Sequence, residues 1–417
     1  LPSTVEIRFL LRGESPLHPF ECNASAPGGA DVWRHLCPAF CPPAVWTERR
    51  IRERDLPFAW GPAGGGAPAC IEAVELVVAA GPGGKGTLLF AAPSFEDQTL
   101  QAPAAVSASS RQPGGDPAAV FDAQATSAWR AAEDDAQPWW AVDFGRPQRF
   151  GGLLIRWPEP QPPRTFSVEL SDEGRTWRSL YHASSACGSQ THIPAPDAEA
   201  RHLRIAFDRA AGAALESVTL QPDAFSQTPN EFIHAVAADF PRGCFPRYWL
   251  REQSFWTPVG SPEGKRRALI NEEGLIEVDE AGFSLEPFIL TPEGPVTWAD
   301  VQTAPSLPPG GAPVPSVTWQ TDRLRLEILT WVDGTGDTLT LHATYRLTCL
   351  KPAPDMRLAV AIRPYQVNPP WQAFRNLGGR SPIRSIRCGT HGLTVEGRAV
   401  TRSEEHTSEL QSHHELV

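Results

Sequence analysis

Apolar and polar residues alternate through most of this chain, with the two-residue period of a strand and not the 3.6-residue period of a helix. Val5, Ile7, Phe9 and Leu11 alternate with polar neighbours. Further strands are expected around Trp46, residues 49–52 and Leu56, and over 71–78 and 87–90, the last two separated by a glycine-rich turn. In the middle of the chain 150–157, 166–172, 201–207 and 215–220 read the same way, and Glu173-Gly174-Arg175-Thr176-Trp177 completes a hairpin after the second of these. Later, Leu324, Leu326 and Ile328 alternate with Arg325 and Glu327, and Leu339, Leu341, Ala343, Tyr345 and Leu347 alternate with Thr340, His342, Thr344 and Arg346. Asp333-Gly334-Thr335-Gly336-Asp337 is the turn between them, so a long antiparallel hairpin with one wet face is expected, followed by a strand over 356–362.

Short strands punctuated by Gly and Pro clusters predict an all-β chain of three tandem β-sandwich or jelly-roll modules. The blocks run over 1–95, 105–223 and 230–401, with a polar, proline-containing connector over 91–104. A chain of 417 residues has room for them. Its 43 prolines and 34 glycines are scattered without period, which suits loop-rich β structure and excludes collagen. The net charge of −11 argues against a nucleic-acid partner, which normally meets a basic patch. No apolar run approaches the ~20 residues of a membrane-spanning helix, so membrane insertion is not expected. The chain opens at Leu1 and enters a strand-like run almost at once. The natural N-terminus is therefore expected to be missing, which leaves a signal peptide and the localisation open.

Two segments invite over-reading. Residues 80–87, Ala-Gly-Pro-Gly-Gly-Lys-Gly-Thr, follow an apolar strand and suggest a phosphate-binding loop. The spacing fails, because Ala79 stands where that motif needs its first glycine, and Gly86 where it needs Ser or Thr. A Gly-rich hairpin turn is expected instead. Residues 402–412, Arg-Ser-Glu-Glu-His-Thr-Ser-Glu-Leu-Gln-Ser, resemble the translation of a DNA sequencing adapter. Residues 402–417 are accordingly expected to be extraneous, and their Glu and His are not read as a site. The eight cysteines include one C-x₃-C pair, Cys37 and Cys41, near Cys22 and Cys70. Free structural thiols are the default, with a local disulfide or a zinc site as the alternatives.

The densest pattern lies between Phe121 and Gly145: Phe121-Asp122, Thr126, Trp129, then Pro138-Trp139-Trp140-Ala141-Val142-Asp143-Phe144-Gly145. Together with the Ser171-Asp172-x-Gly174-x-x-Trp177 hairpin, this resembles the discoidin, or coagulation factor V/VIII type C, domain, with a small departure at Glu173. Trp129, Trp139, Trp140 and Trp177 are expected to be mainly core, and Asp122, Thr126 and Asp143 to close turns and strand ends. Discoidin domains bind ligands with loops at one end of the sandwich. The resemblance thereby points to 111–116, 130–137 and 182–192, and to Arg111, Arg130, Glu133, Asp134, His182 and His192 on them. Planar Arg and His groups suit contacts to sugar hydroxyls or carboxylates, against the alternative that each is a solvated surface residue. The loop tips carry charge, Gly and Pro, where the membrane-binding form of the fold displays apolar residues. No cofactor is implied, and a structural calcium ion is left open.

Residues 56–78 look like jelly-roll carbohydrate-binding modules attached to bacterial glycosidases. Residues 271–278 and 363–372 look similar to the large β-sandwich that precedes the (α/α)₆ barrel of six-hairpin glycosidases. That resemblance implies catalytic carboxylates in a barrel beyond Thr401, with Tyr365 and Trp371 exposed to meet it. Within the chain, Glu252 and Asn271-Glu272-Glu273 are the carboxylates to watch, since glycoside hydrolysis needs two of them ~5–10 Å apart. The expected function is carbohydrate binding by the non-catalytic N-terminal part of a multimodular bacterial glycoside hydrolase. Its partners would be an oligo- or polysaccharide and a catalytic domain in cis. The alternatives are a lectin or adhesin without catalysis, and enzymatic activity in the third block itself.

Overall fold

The computed structural model describes residues 5–79, 84–121, 128–158, 164–186, 188–307, 314–336, 338–351, 355–370, 378–389, 392–407 and 411–416. The chain is built mostly from strands and divides into two compact units, Leu1–Thr228 and Pro229–Val417.

The first unit holds two separate cores. Strands β1 (Val5–Glu14), β2 (His18–Ser25), β3 (Val32–Phe40), β4 (Thr47–Arg52), β5 (Phe58–Trp60), β6 (Ala73–Val78) and β7 (Thr87–Asp97) form two sheets, ordered β4-β1-β7 and β5-β3-β2-β6. Between them lie Ile7, Phe9, Leu11, Phe20, Cys22, Trp33 and Ile51. The period-2 pattern of β1 sends its odd-numbered apolar residues inward, as expected. Two corrections concern length and number. The connector starts only after Asp97, because β7 stays paired with β1 as far as the Val5–Asp97 register. Strands β2 and β3 were not foreseen, since their alternation is broken by Cys, His and Pro. The phosphate-loop segment is followed by strand β7 and not by a helix; residues 80–83 lie outside the described residues.

The second core belongs to β8 (Ala105–Ala108), β9 (Trp129–Arg130), β10 (Trp139–Arg156), β11 (Arg164–Ser171), β12 (Arg178–Ala186), β13 (Gln190–Phe207), β14 (Ala214–Leu215) and β15 (Ser217–Gln221). The main sheet runs β12-β11-β13-β10-β15, with β8 also on β10. Strands β10 and β13 are each 18 residues long, and their ladder breaks between Asp143 and Gln148. On β10, β8 flanks residues 140–143 while β15 flanks 152–156, so one strand pair serves both ends of the module. Asp143 holds the corner. It accepts from the Gly145 amide at 2.7 Å and takes a two-pronged ion pair from Arg201 at 2.8 and 2.9 Å. The Arg201 hydrogen bonds bring its carboxyl down to about 2. Gly145 has φ of +76°, a left-handed conformation that costs glycine little. Trp129, Trp140 and Trp157 are fully buried, as a core role for the Trp139-Trp140 pair requires of at least one indole. Trp177 departs from expectation. It is half-buried with the Arg204 guanidinium 4.3 Å over its ring, because its hairpin position leaves one face open.

A charged joint links the two cores. Glu6 lies on the face of β1 that alternation assigns to water, yet it is only 2% exposed. Arg149, at 4% exposure, donates to it at 2.6 Å from the other core, and Arg8 pairs with it at 2.5 Å. Arg149 also lies 2.8 Å from Asp223 and 3.5 Å from Asp197. Asp197 binds Arg52 and Arg54, and Glu199 meets Arg50 at 3.0 Å. Burial pushes the Asp223 carboxyl up to about 6.

In the second unit, helix α1 (Pro229–Ala238) precedes strands β16 (Trp256–Val259), β17 (Ala268–Asn271), β18 (Ile276–Glu277), β19 (Ser284–Thr291), β20 (Gly294–Val296), β21 (Gln302–Ser306), β22 (Ser316–Gln320), β23 (Leu324–Thr335), β24 (Thr338–Cys349) and β25 (Arg357–Arg363). One sheet runs β16-β17-β18-β19-β20 with β25 on β19, and another begins β21-β22-β23-β24. The foreseen hairpin is β23–β24, in register from Leu324–Cys349 to Thr335–Thr338. Their inner faces share one core, including Ile270, Ile276, Leu285, Trp319, Leu326, Ile328 and Tyr345. Strands β26 (Ile386–Gly389), β27 (Gly392–Val395) and β28 (Arg398–Val400) form a third sheet. The tail contributes β29 (Arg402–Thr407) and β30 (Gln411–Leu416), with β30 pairing to β24. The helix is an exception to the all-β expectation. Together with Tyr248 and Trp249 it covers Tyr365, which is 7% exposed and not the open residue expected; Trp371 lies outside the described residues.

Replacing Arg149 by Met leaves Glu6 buried without its closest partner from the other core and is expected to destabilise the first unit by about 3–5 kcal/mol. Replacing both, Arg149→Met with Glu6→Leu, is expected to cost less than the single change. Urea unfolding of the full chain, followed by amide exchange in β1 and β10, measures both. Equal or larger loss in the double variant would show that the pair does not act as a unit.

Candidate functional site

A cleft of about 310 Å³ opens in the second module of the first unit. Gln112, Arg130 and Glu133 line one side, and the small residues 210–214 line the other. Backbone pairing fixes this arrangement. Arg130 pairs with Ala214 and Trp129 with Leu215 across β9–β14. The Gln112 amide donates to the Arg130 carbonyl at 2.9 Å, and the Ala131 amide to the Ala213 carbonyl at 3.0 Å. Beneath them the buried Trp129 donates its indole N–H to the Ser110 carbonyl at 2.9 Å.

Asp135 ties these loops together. It accepts from the Ser109 hydroxyl at 2.5 Å, the Ser110 hydroxyl at 2.6 Å and the Gln137 amide at 3.0 Å. Ser110 in turn accepts from the Ala132 amide at 3.0 Å. Desolvation opposes ionisation of Asp135, but the three hydrogen bonds outweigh it and lower its carboxyl. The 109–112 and 130–137 loops are therefore cross-braced before any ligand arrives.

The cleft offers a planar cation with several donors, a carboxylate that only accepts, and an amide that does both. Opposite them is a low wall of alanine and glycine. That combination suits a ligand rich in hydroxyls, which donate and accept at once, with an aliphatic C–H face. Among the described residues no aromatic lines the cleft.

The structure brings together only part of the expected set. Arg130 and Glu133 share the cleft. Arg111 and Asp134 are exposed beside it without lining it. His182 and His192 are not on a loop. His182 sits within β12, its Nδ1 3.0 Å from the Ser167 hydroxyl, and His192 within β13, stacked on Phe225 at 6.5 Å between centroids. The reason is pairing: β11–β12 and β10–β13 hold register to Ala186 and Gln190, which leaves only residues 187–189 between the strands where a longer loop was expected. Gln112 and Asp135 were missed; neither carries a sequence signal beyond its place in a polar loop. Asp122 and Thr126 lie outside the described residues.

In the second unit the carboxylates marked for attention serve the fold. Glu252 pairs with Arg242, with one bond at 2.9 Å. Glu273 is buried, accepts from Arg247, and holds the Asn271 amide at 3.2 Å. Burial lifts Glu273 and Glu277 to about 7 and Glu286 to about 8, although Arg363 lies 3.0 Å from Glu286. Among the described residues no cluster of three or more His, Cys, Asp or Glu side chains is placed to hold a metal ion. The described cysteines are all free thiols, including Cys37 and Cys41.

Residues 105–217 match the family model of the F5/8 type C domain. No curated protein matches the chain. Among solved structures, chitosan-binding module 1 from a chitosanase/glucanase of Paenibacillus sp. IK-5 is 20% identical over 28% of this chain and 92% of its own, with a TM-score of 0.26. A Streptococcus pneumoniae fucose binding module is 19% identical over 28% of this chain and 91% of its own, also at 0.26. A Clostridium perfringens structure in complex with GalNAc-β-1,3-galactose is 11% identical over 28% and 94%, again at 0.26.

Because burial disfavours their charged form, the three raised glutamates stabilise the second unit fully below the ordinary carboxylate range, where they are protonated in both states. That contribution is lost as pH rises through about 7 to 8. Amide protection of β19 in the full chain is therefore expected to fall between pH 5 and pH 8, after correction for intrinsic exchange, and Glu286→Gln is expected to flatten the fall. A pH-independent profile would contradict the burial argument.

Proposed function

We propose that this chain binds carbohydrate, and that the cleft between Arg130, Glu133 and Gln112 and the 210–214 wall is where it does so. The observation that carries the reading is the convergence of donor, acceptor and amide on one small-residue cleft inside the segment that matches the F5/8 type C domain. Loops at the end of such a sandwich are the expected binding surface, and here they are braced by Asp135, so little ordering is required on binding. With no aromatic among the described residues that line the cleft, recognition rests on hydrogen bonds to hydroxyls, and orientation rests on the Arg130 fork.

The finer part of the proposal is that the chain is the binding portion of a multimodular bacterial glycoside hydrolase, with catalysis supplied by a domain in cis. It is supported by the likeness of residues 271–278 and 363–372 to the β-sandwich of six-hairpin glycosidases. The structural employment of Glu252 and Glu273 agrees with it. Tandem modules would add avidity to weak single sites.

A glycan array on the intact chain tests the first part. Arg130→Ala and Glu133→Ala are each expected to weaken the bound glycan roughly 10–100-fold, the size of a lost charged hydrogen bond. His182→Ala is expected to leave it within about twofold. Absence of any bound glycan, or binding indifferent to both cleft changes, would overturn the assignment.

A further inference from the structure

A second cavity, of about 440 Å³, lies in the other unit at the end of the sandwich core. That volume falls in the ~300–1,000 Å³ range of small-molecule sites. Its walls are apolar: Phe283, Leu285, Val332, Leu339 and Leu341 are prominent among them. Its rim carries Arg266, Arg267 and Arg398, with Asp279 as the one carboxylate among the described lining residues.

Asp279 is itself buried and organises two of the three cations. One of its oxygens meets Arg398 at 2.6 Å and Arg266 at 3.3 Å. Two guanidinium groups are thereby held side by side, although like charges would otherwise drift apart. The side chains of Arg266 and Arg398 remain 62% and 39% exposed. Each guanidinium has five N–H donors, and Asp279 engages only some of them. Among the described lining residues three cations stand against one anion, in a chain whose net charge is −11.

We infer that this cavity is a binding site for a small amphiphilic anion, whose aliphatic or aromatic body enters between the sheets while its carboxylate or sulfate lies across Arg266 and Arg398. The inference is independent of carbohydrate binding in the first unit. A neutral apolar molecule would fill the walls but leave the rim unanswered. A polar anion without an apolar body would forgo the walls, whose removal from water favours binding in proportion to the apolar area covered.

Calorimetric titration of the full chain with decanoate, against decanol as the neutral control, tests it. Decanoate is expected to bind at one site per chain, at least tenfold more tightly than decanol. Leu341→Trp, which fills the cavity, is expected to abolish both. Arg266→Gln with Arg398→Gln is expected to reduce decanoate to the level of decanol. Arg266 is mostly exposed, and glutamine at both positions can still donate to the buried Asp279, so this variant decides the matter if Leu341→Trp fails to fold, with the folding of both variants checked by circular dichroism. No binding of decanoate by the unaltered chain, equal affinity for decanol, or affinity unchanged in the arginine variant would each overturn the inference.

Discussion

Arg149 is the residue on which the arrangement of the first unit turns. A guanidinium buried among Glu6, Asp197 and Asp223 cannot leave its partners without stranding a charge in a low-dielectric joint. Because Glu6 belongs to one core and Arg149 to the other, the pair makes two sandwiches into one compact unit. The surrounding pairs from Arg50, Arg52 and Arg54 are more exposed and contribute less each. They do make the two facing surfaces complementary in sign: arginines on one side, Asp197 and Glu199 on the other.

With that joint fixed, the rest of the second module follows from two devices. The long β10–β13 pair gives it a continuous frame whose corner is held by Asp143. The 109–112 and 130–137 loops are then tied to the frame by Ser109, Ser110 and Asp135. The cleft is a consequence of that bracing and of the small side chains at 210–214, which leave open the space that larger residues would fill. A pre-braced cleft keeps the ordering cost of binding low, which matters for ligands held mainly by hydrogen bonds of modest net strength.

The second unit uses charge differently. Glu273, Glu277 and Glu286 sit inside it, held by Arg247, the Val367 amide and Arg363. Buried acids of this kind are often signs of chemistry. Here their partners are backbone amides and structural arginines, which tie the helical segment and residues 363–367 to the sheet. The arginines at the rim of the apolar cavity are the contrasting case. They are gathered by one buried aspartate but still face outward.

The strand pattern was legible because alternation is local: Val5 to Leu11, Phe166 to Asp172, and the Leu324–Leu347 hairpin each declare which side faces a core. The discoidin-like module was legible through its tryptophans and its Ser-Asp-x-Gly-x-x-Trp hairpin. Helix α1 was hidden by its shortness, and β2 and β3 by interrupted alternation. Of the residues expected on the loops, Arg130 and Glu133 line the cleft, and both belong to a polar stretch between strong strand signals. His182 and His192 were misplaced because the length of a strand depends on how far its partner stays in register. By itself, then, the sequence determined the class of fold, the faces of its strands and the loops richest in polar groups, all of which are set by residues near one another in the chain. Tertiary structure alone decided that Glu6 is buried, that Gln112 and the 210–214 wall complete the cleft, and that Asp279 gathers Arg266 and Arg398, because each depends on groups distant in sequence meeting where water is excluded.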